Sequence, residues 1–198
     1  MKVYTNTKII TMDGGKVIPN GALLVDGSKI TAVLTMDEYG ARSGEFAGAE
    51  TVDCAGKVIM PGLINAHTHI TLWRSFGDIT LARDVATETM LAVRNSLNCL
   101  RKGVTTVRDM GHKDHVHNEM KVCAERGVIL APRFRCANAI IEMSNGHASH
   151  FCATVSTPQE MVSEIRRQVN AGTDFIKIVA SHDDLYHLDK LSYPWVSQ

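Results

Sequence analysis

The 198-residue sequence lacks an excess of charge of either sign, because 21 Lys and Arg residues are matched by 21 Asp and Glu residues. This balance argues against nucleic acid or an anionic membrane as a partner. The N-terminal residues contain no apolar core of signal-peptide length, and no stretch approaches the ~18 apolar residues of a membrane span. The five cysteines, an odd number without C-x-x-C spacing, predict reduced thiols rather than a disulfide framework. Together these absences predict a cytoplasmic protein.

The most informative feature that is present is a pair of histidines, His67 and His69, directly after a short apolar run. In an extended strand alternate side chains point to the same side, so one metal ion can bridge the two rings. At the C-terminal end of a barrel strand the pair would lie where TIM-barrel enzymes have their active sites. The spacing alone also fits an ordinary strand end with two solvated or hydrogen-bonded histidines.

The residues around this pair carry a family resemblance. Residues 61–70 read P-G-L-I-N-A-H-T-H-I, which resembles the first-strand motif of the amidohydrolase superfamily. Members of this superfamily hydrolyse C–N and related bonds with one or two divalent metals. The resemblance implies that His67 and His69 are metal ligands, with zinc as the most plausible ion.

The part of the chain before the motif is predicted to form a β domain. Its short strand patterns are broken by turn signals, and Asp13-Gly14 and Asp26-Gly27 can each close a tight hairpin. Superfamily members carry a small β domain at this position. We therefore predict an incomplete, β-sandwich-like domain over residues 1–60 and a partial metal-dependent hydrolase (β/α) barrel over residues 61–198.

After the motif, helical and strand patterns alternate, which is typical of successive β/α units. Glycines are expected to end the helices, and Thr157-Pro158-Gln159-Glu160 supplies an N-cap, a first-turn proline and a capping-box glutamate. The predicted strands after the motif are residues 104–109, 134–140 and 174–180, and a helix is expected over about 114–126. The fold class is therefore α/β, an incomplete TIM barrel of about four β/α units.

The last of these strands contains Lys177 among apolar residues, in the order F-I-K-I-V-A. A buried ammonium is costly, and a lysine that extends to solvent from a strand end is the alternative. The segment G-T-D-F-I-K-I resembles the corresponding strand of Xaa-Pro dipeptidases, prolidases and imidazolonepropionase-like amidohydrolases. In the dipeptidase-like members carbon dioxide carboxylates this lysine, and the carbamate bridges two metals. The resemblance thus implies a carboxylated Lys177 as a third metal ligand.

The loop around His147 contributes a candidate catalytic residue. Residues 144–150, S-N-G-H-A-S-H, resemble the G-G-H-G stretch that follows the third strand in the same subgroup. The resemblance implies that His147 faces the substrate and donates a hydrogen bond to the negative charge that develops on the carbonyl oxygen. A solvated loop histidine is the alternative.

Other polar residues near the second strand are less specific. Because no three histidines there have a spacing that closes a zinc tetrahedron, His112, His115 and His117 are predicted to be polar surface residues; the alternative is that His112 or His117 faces the pocket. Arg108 and Asp109 at the strand end could line the mouth of the barrel or form a structural ion pair.

The function that the resemblance implies is a metal-dependent amidohydrolase, in which metal-activated hydroxide attacks an amide-like carbonyl. Its substrate would be a small amide or dipeptide-like molecule, with Xaa-Pro dipeptides, N-acyl amino acids and cyclic amides all open. The expected cofactors are one or two divalent metal ions and the carbamate on Lys177.

The length of the chain sets a competing expectation. A complete (β/α)₈ barrel needs about 250 residues, and no position here matches the ligands that the family takes from its fifth, sixth and eighth strands. Uncovered strand edges predict self-association or pairing with a complementing C-terminal half. The alternative function is therefore a non-catalytic remnant or interaction fragment that binds metal weakly or not at all.

Overall fold

Two compact units, Met1–Pro61 and Gly62–Gln198, make up the computed structural model. It describes residues 1–72, 84–113, 116–144, 146, 149 and 152–180. Within these ranges, no helix combines the length and apolar character needed to cross a membrane.

The first unit is a five-stranded sheet with one short helix. Strands β1 and β2 pair antiparallel, as do β2 and β3, whereas β4 and β5 both pair parallel to β1. The elements are β1 (Lys2–Ile10), β2 (Val17–Asp26), β3 (Lys29–Thr35), α1 (Met36–Ala41), β4 (Glu50–Asp53) and β5 (Val58–Ile59). Both predicted hairpins are confirmed, and Gly14 and Gly27 adopt the left-handed φ values, +55° and +57°, that such turns require.

Buried and exposed residues alternate along β1, although a left-handed φ of +53° at Asn6 interrupts the strand. Val3, Thr5, Thr7 and Ile9 are buried, while Lys2, Asn6 and Lys8 between them are exposed. The buried threonines are satisfied because their hydroxyls donate to carbonyl groups of the neighbouring segment, at 2.8 Å for the bond from Thr7 to Lys57. The apolar residues form two separate clusters, one of Val3 with Ala22, Leu24 and Leu34 and the other of Ile9 with Ile18 and Leu23.

The described residues of the second unit form two parallel three-stranded sheets, ordered β6-β7-β8 and β10-β9-β11. Its strands are β6 (Leu63–Thr68), β7 (Val104–Asp109), β8 (Arg133–Cys136), β9 (Ile140–Met143), β10 (Ala153–Val155) and β11 (Lys177–Ile178). Its described helices are α2 (Val85–Arg101), α3 (Val116–Glu125) and α4 (Pro158–Asn170). A core cluster joins the first sheet to α2 and α3: Ile70, Ala92, Val107, Val116, Met120 and Phe134.

The helix ends follow from local side-chain chemistry. The helices are followed by Gly103, Gly127 and Gly172, all with positive φ, as the sequence predicts. At the start of α4 the Thr157 hydroxyl accepts from the Glu160 N–H at 3.2 Å. The Glu160 carboxylate accepts from the Ser156 N–H rather than from that of Thr157, so the predicted reciprocal capping box is shifted by one residue.

The strand predicted over residues 134–140 is wrong as a single element. Asn138 adopts a left-handed φ of +60°, which ends β8 and lets β9 begin at Ile140. The carbonyl of Asn138 accepts from the His112 N–H at 3.0 Å, so the break is fixed to the loop that follows β7. The strand predicted over residues 174–180 is likewise shorter, because Asp174 bonds to β8 while Lys177 and Ile178 pair with β9.

Asp174 connects α3 and β8 to the segment that leads into β11. One of its oxygens accepts from Lys121 Nζ and from Arg135 Nη1, both at 2.9 Å, and the other accepts from the Cys136 N–H at 3.0 Å. Burial by itself would raise the pKa of Asp174, but these three hydrogen bonds lower it below its ordinary value. The carboxylate therefore stabilises the fold in its ionised form.

Replacement of Asp174 by Asn should lower the free energy of unfolding at pH 7 by about 1.5–3 kcal/mol, because hydrogen bonds to a charged group are lost. Since the folded-state pKa is lowered, the contribution is present above the unfolded value near 4 and is lost as pH falls through the folded value. The free energies of unfolding of the two proteins should therefore converge as pH falls. Urea unfolding of both at a series of pH values measures this. Glu125→Gln, an exposed carboxylate in the same unit, is the control, and equal stability of D174N and wild type at pH 7 would contradict the assignment.

Candidate functional site

His67 and His69 lie together at the C-terminal end of β6. His67 is an exposed residue of the strand, and His69 follows the last strand residue and is half-buried. Their ring centroids are 5.6 Å apart, with the ring planes tilted by 55°. The structure therefore places the two rings next to each other at the strand end.

A backbone hydrogen bond fixes the orientation of His69. Its Nδ1 lies 2.7 Å from the carbonyl oxygen of Gly111, which can only accept, so the proton is on Nδ1 and Nε2 carries a lone pair. Burial lowers the pKa of His69, although this bond and the Asp109 charge oppose the shift. The imidazole is thus held neutral with one nitrogen bare, which is the state that binds a metal ion.

The Gly111 carbonyl, which accepts this hydrogen bond, belongs to a loop whose backbone is closely constrained. Gly111 adopts a φ of +86°, and a Cβ added to it would lie 2.5 Å from the carbonyl oxygen of Asn138. The N–H of Met110 donates to the Thr68 carbonyl at 2.8 Å, which ties the loop to the end of β6. Only glycine fits this position without movement of the backbone, so the place of the acceptor for His69 is fixed.

Asp109 at the end of β7 is fully buried together with His117 of α3. The Nδ1 of His117 lies 2.6 Å from one carboxylate oxygen of Asp109, and both side chains are 0% exposed. The other oxygen accepts from the N–H of Gly111 at 3.2 Å and from that of Ile70 at 3.4 Å. This carboxylate therefore lies directly behind the loop that holds His69.

The prediction that His112 and His117 are surface residues is wrong. His117 shares the buried side of α3 with Val116 and Met120, so its position in the helical period was a usable signal that the polar side chain concealed. His112 is largely buried, with its Nδ1 3.2 Å from a carboxylate oxygen of Glu88 in α2. The proposed Arg108–Asp109 ion pair is also replaced, because Asp109 pairs with His117 and the Arg108 guanidinium lies 4.2 Å from the ring centre of Phe175.

Lys177 lies in the other sheet of the second unit, opposite Ile140 of β9. It is half-buried, and Val179, two residues further on, packs on Ile140 and Cys152. Burial raises the pKa of the Cys152 thiol; the Glu142 charge raises it further and that of Lys177 opposes the shift. Glu142, whose side chain is fully buried, lies on β9, the strand with which Lys177 pairs.

The remaining candidates are placed as follows. His147 and His115 lie outside the described residues. Within the part of the chain that the structure describes, no group of three or more His, Cys, Asp or Glu side chains is arranged to hold a metal ion. On the β6-β7-β8 sheet the candidate metal ligands are thus two imidazoles, and imidazole suits zinc and similar divalent ions.

Several known proteins are similar to this chain in sequence or in structure. Over 82 residues the chain is 40% identical to a 5-methylthioadenosine/S-adenosylhomocysteine deaminase of Bacillus thuringiensis. The matched segment covers 38% of this chain and 17% of the deaminase. The solved structure of a putative prolidase from Bifidobacterium longum is 26% identical, with a TM-score of 0.71, over 91% of this chain and 41% of the prolidase. An Xaa-Pro dipeptidase structure with bound methionine has a TM-score of 0.76 at 20% identity, over 93% of this chain and 48% of the dipeptidase.

These figures support the α/β fold, and they show that the chain spans less than half the length of each of these relatives. The model of the Amidohydrolase family matches residues 58–182, which is more than half of the chain. That match includes β6 with both histidines and extends through β11. The chain therefore belongs to the Amidohydrolase family.

Proposed function

We propose that this chain carries part of the active site of a metal-dependent amidohydrolase that hydrolyses the C–N bond of a small amide, dipeptide-like or cyclic amide substrate. The observation that carries the proposal is the His67–His69 pair. In this pair His69 donates a hydrogen bond from Nδ1–H to the Gly111 carbonyl, so its Nε2 carries no proton. Membership of the Amidohydrolase family and the names of the similar proteins, a deaminase and two dipeptide hydrolases, point to the same reaction class.

The architecture proposed for the second unit is an incomplete TIM barrel of about four β/α units. Its support is the run of parallel strands with intervening helices, together with the likeness to prolidase structures. The histidine pair then lies at the C-terminal end of the first barrel strand, the end at which barrels of this kind perform their chemistry.

A divalent cation, most plausibly zinc, would be held by His67 and His69. When bound, such an ion lowers the pKa of water from about 15.7 toward 7 and polarises a carbonyl oxygen. The chain's own part is to orient His69 through its bond to Gly111, which leaves Nε2 bare, while burial lowers the pKa of this imidazole. His147 is proposed to stabilise the oxyanion by donating a hydrogen bond.

Lys177 is proposed to be carboxylated and to serve as a further metal ligand. The supporting observation is its half-buried place beside Ile140 and Val179, where a bare ammonium gains little solvation. The ammonium first loses one proton, and carbon dioxide then adds to the neutral amine with loss of a second proton, so that a cation becomes an anionic oxygen donor. Such a donor is compensated when it lies against metal cations.

A second candidate function is a non-catalytic remnant or interaction fragment. It is favoured by the two-histidine donor set, since the described residues contain no cluster of three or more His, Cys, Asp or Glu ligands. Leu63 and Ile64 on β6 are 50% and 70% exposed, which would suit self-association or a complementing C-terminal half. Metal affinity separates the two functions.

The first prediction concerns His67 and His69. Replacement of each by Asn removes the metal-binding nitrogen, while an Asn at position 69 can still donate to the Gly111 carbonyl from near the place of Nδ1. Zinc affinity, measured by calorimetric titration after removal of metal by a chelator, should fall by more than the roughly 10–100-fold typical of changes outside the ligand shell. His115→Asn is the matched control. Unchanged zinc binding in the double variant would place the ion elsewhere and contradict the proposal.

The second prediction concerns Lys177. Native mass spectrometry in bicarbonate buffer should show wild-type chains that carry the added mass of one carbon dioxide together with a second metal ion. Both should be missing from Lys177→Ala and from Lys177→Arg, which keeps the positive charge but cannot form the carbamate. An equal metal count in all three proteins would refute the carbamate.

A further inference from the structure

The buried carboxylate of Asp109 bonds both to the backbone next to His69 and to the backbone of Gly111, the hydrogen-bond acceptor of His69. One oxygen of Asp109 accepts from the N–H of Ile70, the residue directly after His69, and from the N–H of Gly111. The carbonyl of Gly111 in turn accepts the hydrogen bond from His69 Nδ1–H. The backbone that carries the ring and the acceptor that orients it are therefore fastened to the same atom.

The orientation of this carboxylate depends in turn on His117. Its Nδ1–H donates to the second oxygen of Asp109 at 2.6 Å, a charge-assisted bond that turns the first oxygen toward the two backbone N–H groups. No other donor to this second oxygen is found within the described residues. Removal of the imidazole would therefore leave one side of a fully buried carboxylate unpaired.

The chemistry of His117 is otherwise hard to explain by packing. Its Nε2 is buried without a hydrogen-bond partner among the residues that the structure describes. A buried unsatisfied polar atom costs about 1–3 kcal/mol, whereas an apolar side chain would fill the same space in the core without that cost. The donor that His117 offers to Asp109 is the compensating feature.

We infer that Asp109 and His117 are positioning residues which hold His69 in the tautomer with a bare Nε2 and so set the affinity of the site for a divalent cation. This inference rests on the proposed role of His69 as a metal ligand. It adds a dependence on two fully buried residues that lie behind the strand end.

The geometry also explains why a glycine follows two residues after Asp109. The carboxylate can reach the N–H of Gly111 only if the chain turns sharply, and the left-handed φ of +86° provides this turn. The same turn directs the Gly111 carbonyl to His69. Asp109, the glycine turn and the histidine ring therefore form one continuous hydrogen-bonded path.

The test uses three variants of the full chain. His117→Leu removes the donor and leaves an apolar side chain. His117→Asn keeps an N–H donor close to the place of Nδ1 and is the rescuing control. Asp109→Asn keeps one acceptor oxygen but presents an NH₂ group to His117, so two donors face each other. Thermal unfolding and amide NMR spectra identify the variants that keep the native fold.

The decisive readout is the tautomer of His69 in the metal-free chain, determined from long-range ¹H–¹⁵N correlations of the imidazole. Wild type and His117→Asn should show a single tautomer with the proton on Nδ1. His117→Leu and Asp109→Asn should show a mixture of tautomers and a zinc affinity about 10–100-fold lower, the range expected for an outer-shell change.

The possible results separate this inference from the proposed function. A single Nδ1–H tautomer and unchanged zinc affinity in a folded His117→Leu protein would overturn the inference and leave the metal site intact. If wild type fails to bind zinc, the proposed function fails, and the inference, which rests on it, falls as well. If Asp109→Asn does not fold, the comparison of His117→Leu with His117→Asn decides alone.

Discussion

The hydrogen bond from His69 to the Gly111 carbonyl is the interaction on which the site depends. At 2.7 Å it determines which nitrogen of the ring is protonated and which is left for a ligand. It forms because the end of β6 and the loop after β7 are held at a fixed separation. The bond between Met110 and Thr68 and the left-handed turn at Gly111 set this separation. The tautomer of His69 in this fold is therefore a product of backbone geometry as much as of residue type.

The polar residues behind the first sheet show how a fold accommodates groups that oppose burial. Asp109 and His117 are both fully buried, and Val107 and Val116, on the same strand and the same helix, belong to an apolar core cluster. An ion pair in such a place does not by itself add stability, since desolvation offsets much of the attraction. What it supplies is a defined orientation, and the same reasoning applies to Glu88 and His112 nearby.

Much of this organisation could be predicted from the sequence, because its signals are local. The period of two brings His67 and His69 together, and the glycines and the Thr157 cap mark the helix ends. The break at Asn138 could not be read in this way, since its left-handed backbone is maintained by a contact with His112, 26 positions earlier. His117 was missed for a related reason: its partner is a carboxylate on another element, and polarity alone suggested solvent. The role of His147 stays a prediction.

X-ray absorption at the zinc edge, on the chain loaded with one equivalent of zinc, tests the central claim most directly. The account predicts two imidazole nitrogens at about 2.0–2.1 Å, with one of them lost in His69→Asn. The buried thiols are poor competitors, because burial raises the pKa of Cys136 to about 12 and also raises that of Cys152. Sulfur ligands at about 2.3 Å, or a spectrum without imidazole scattering, would contradict it.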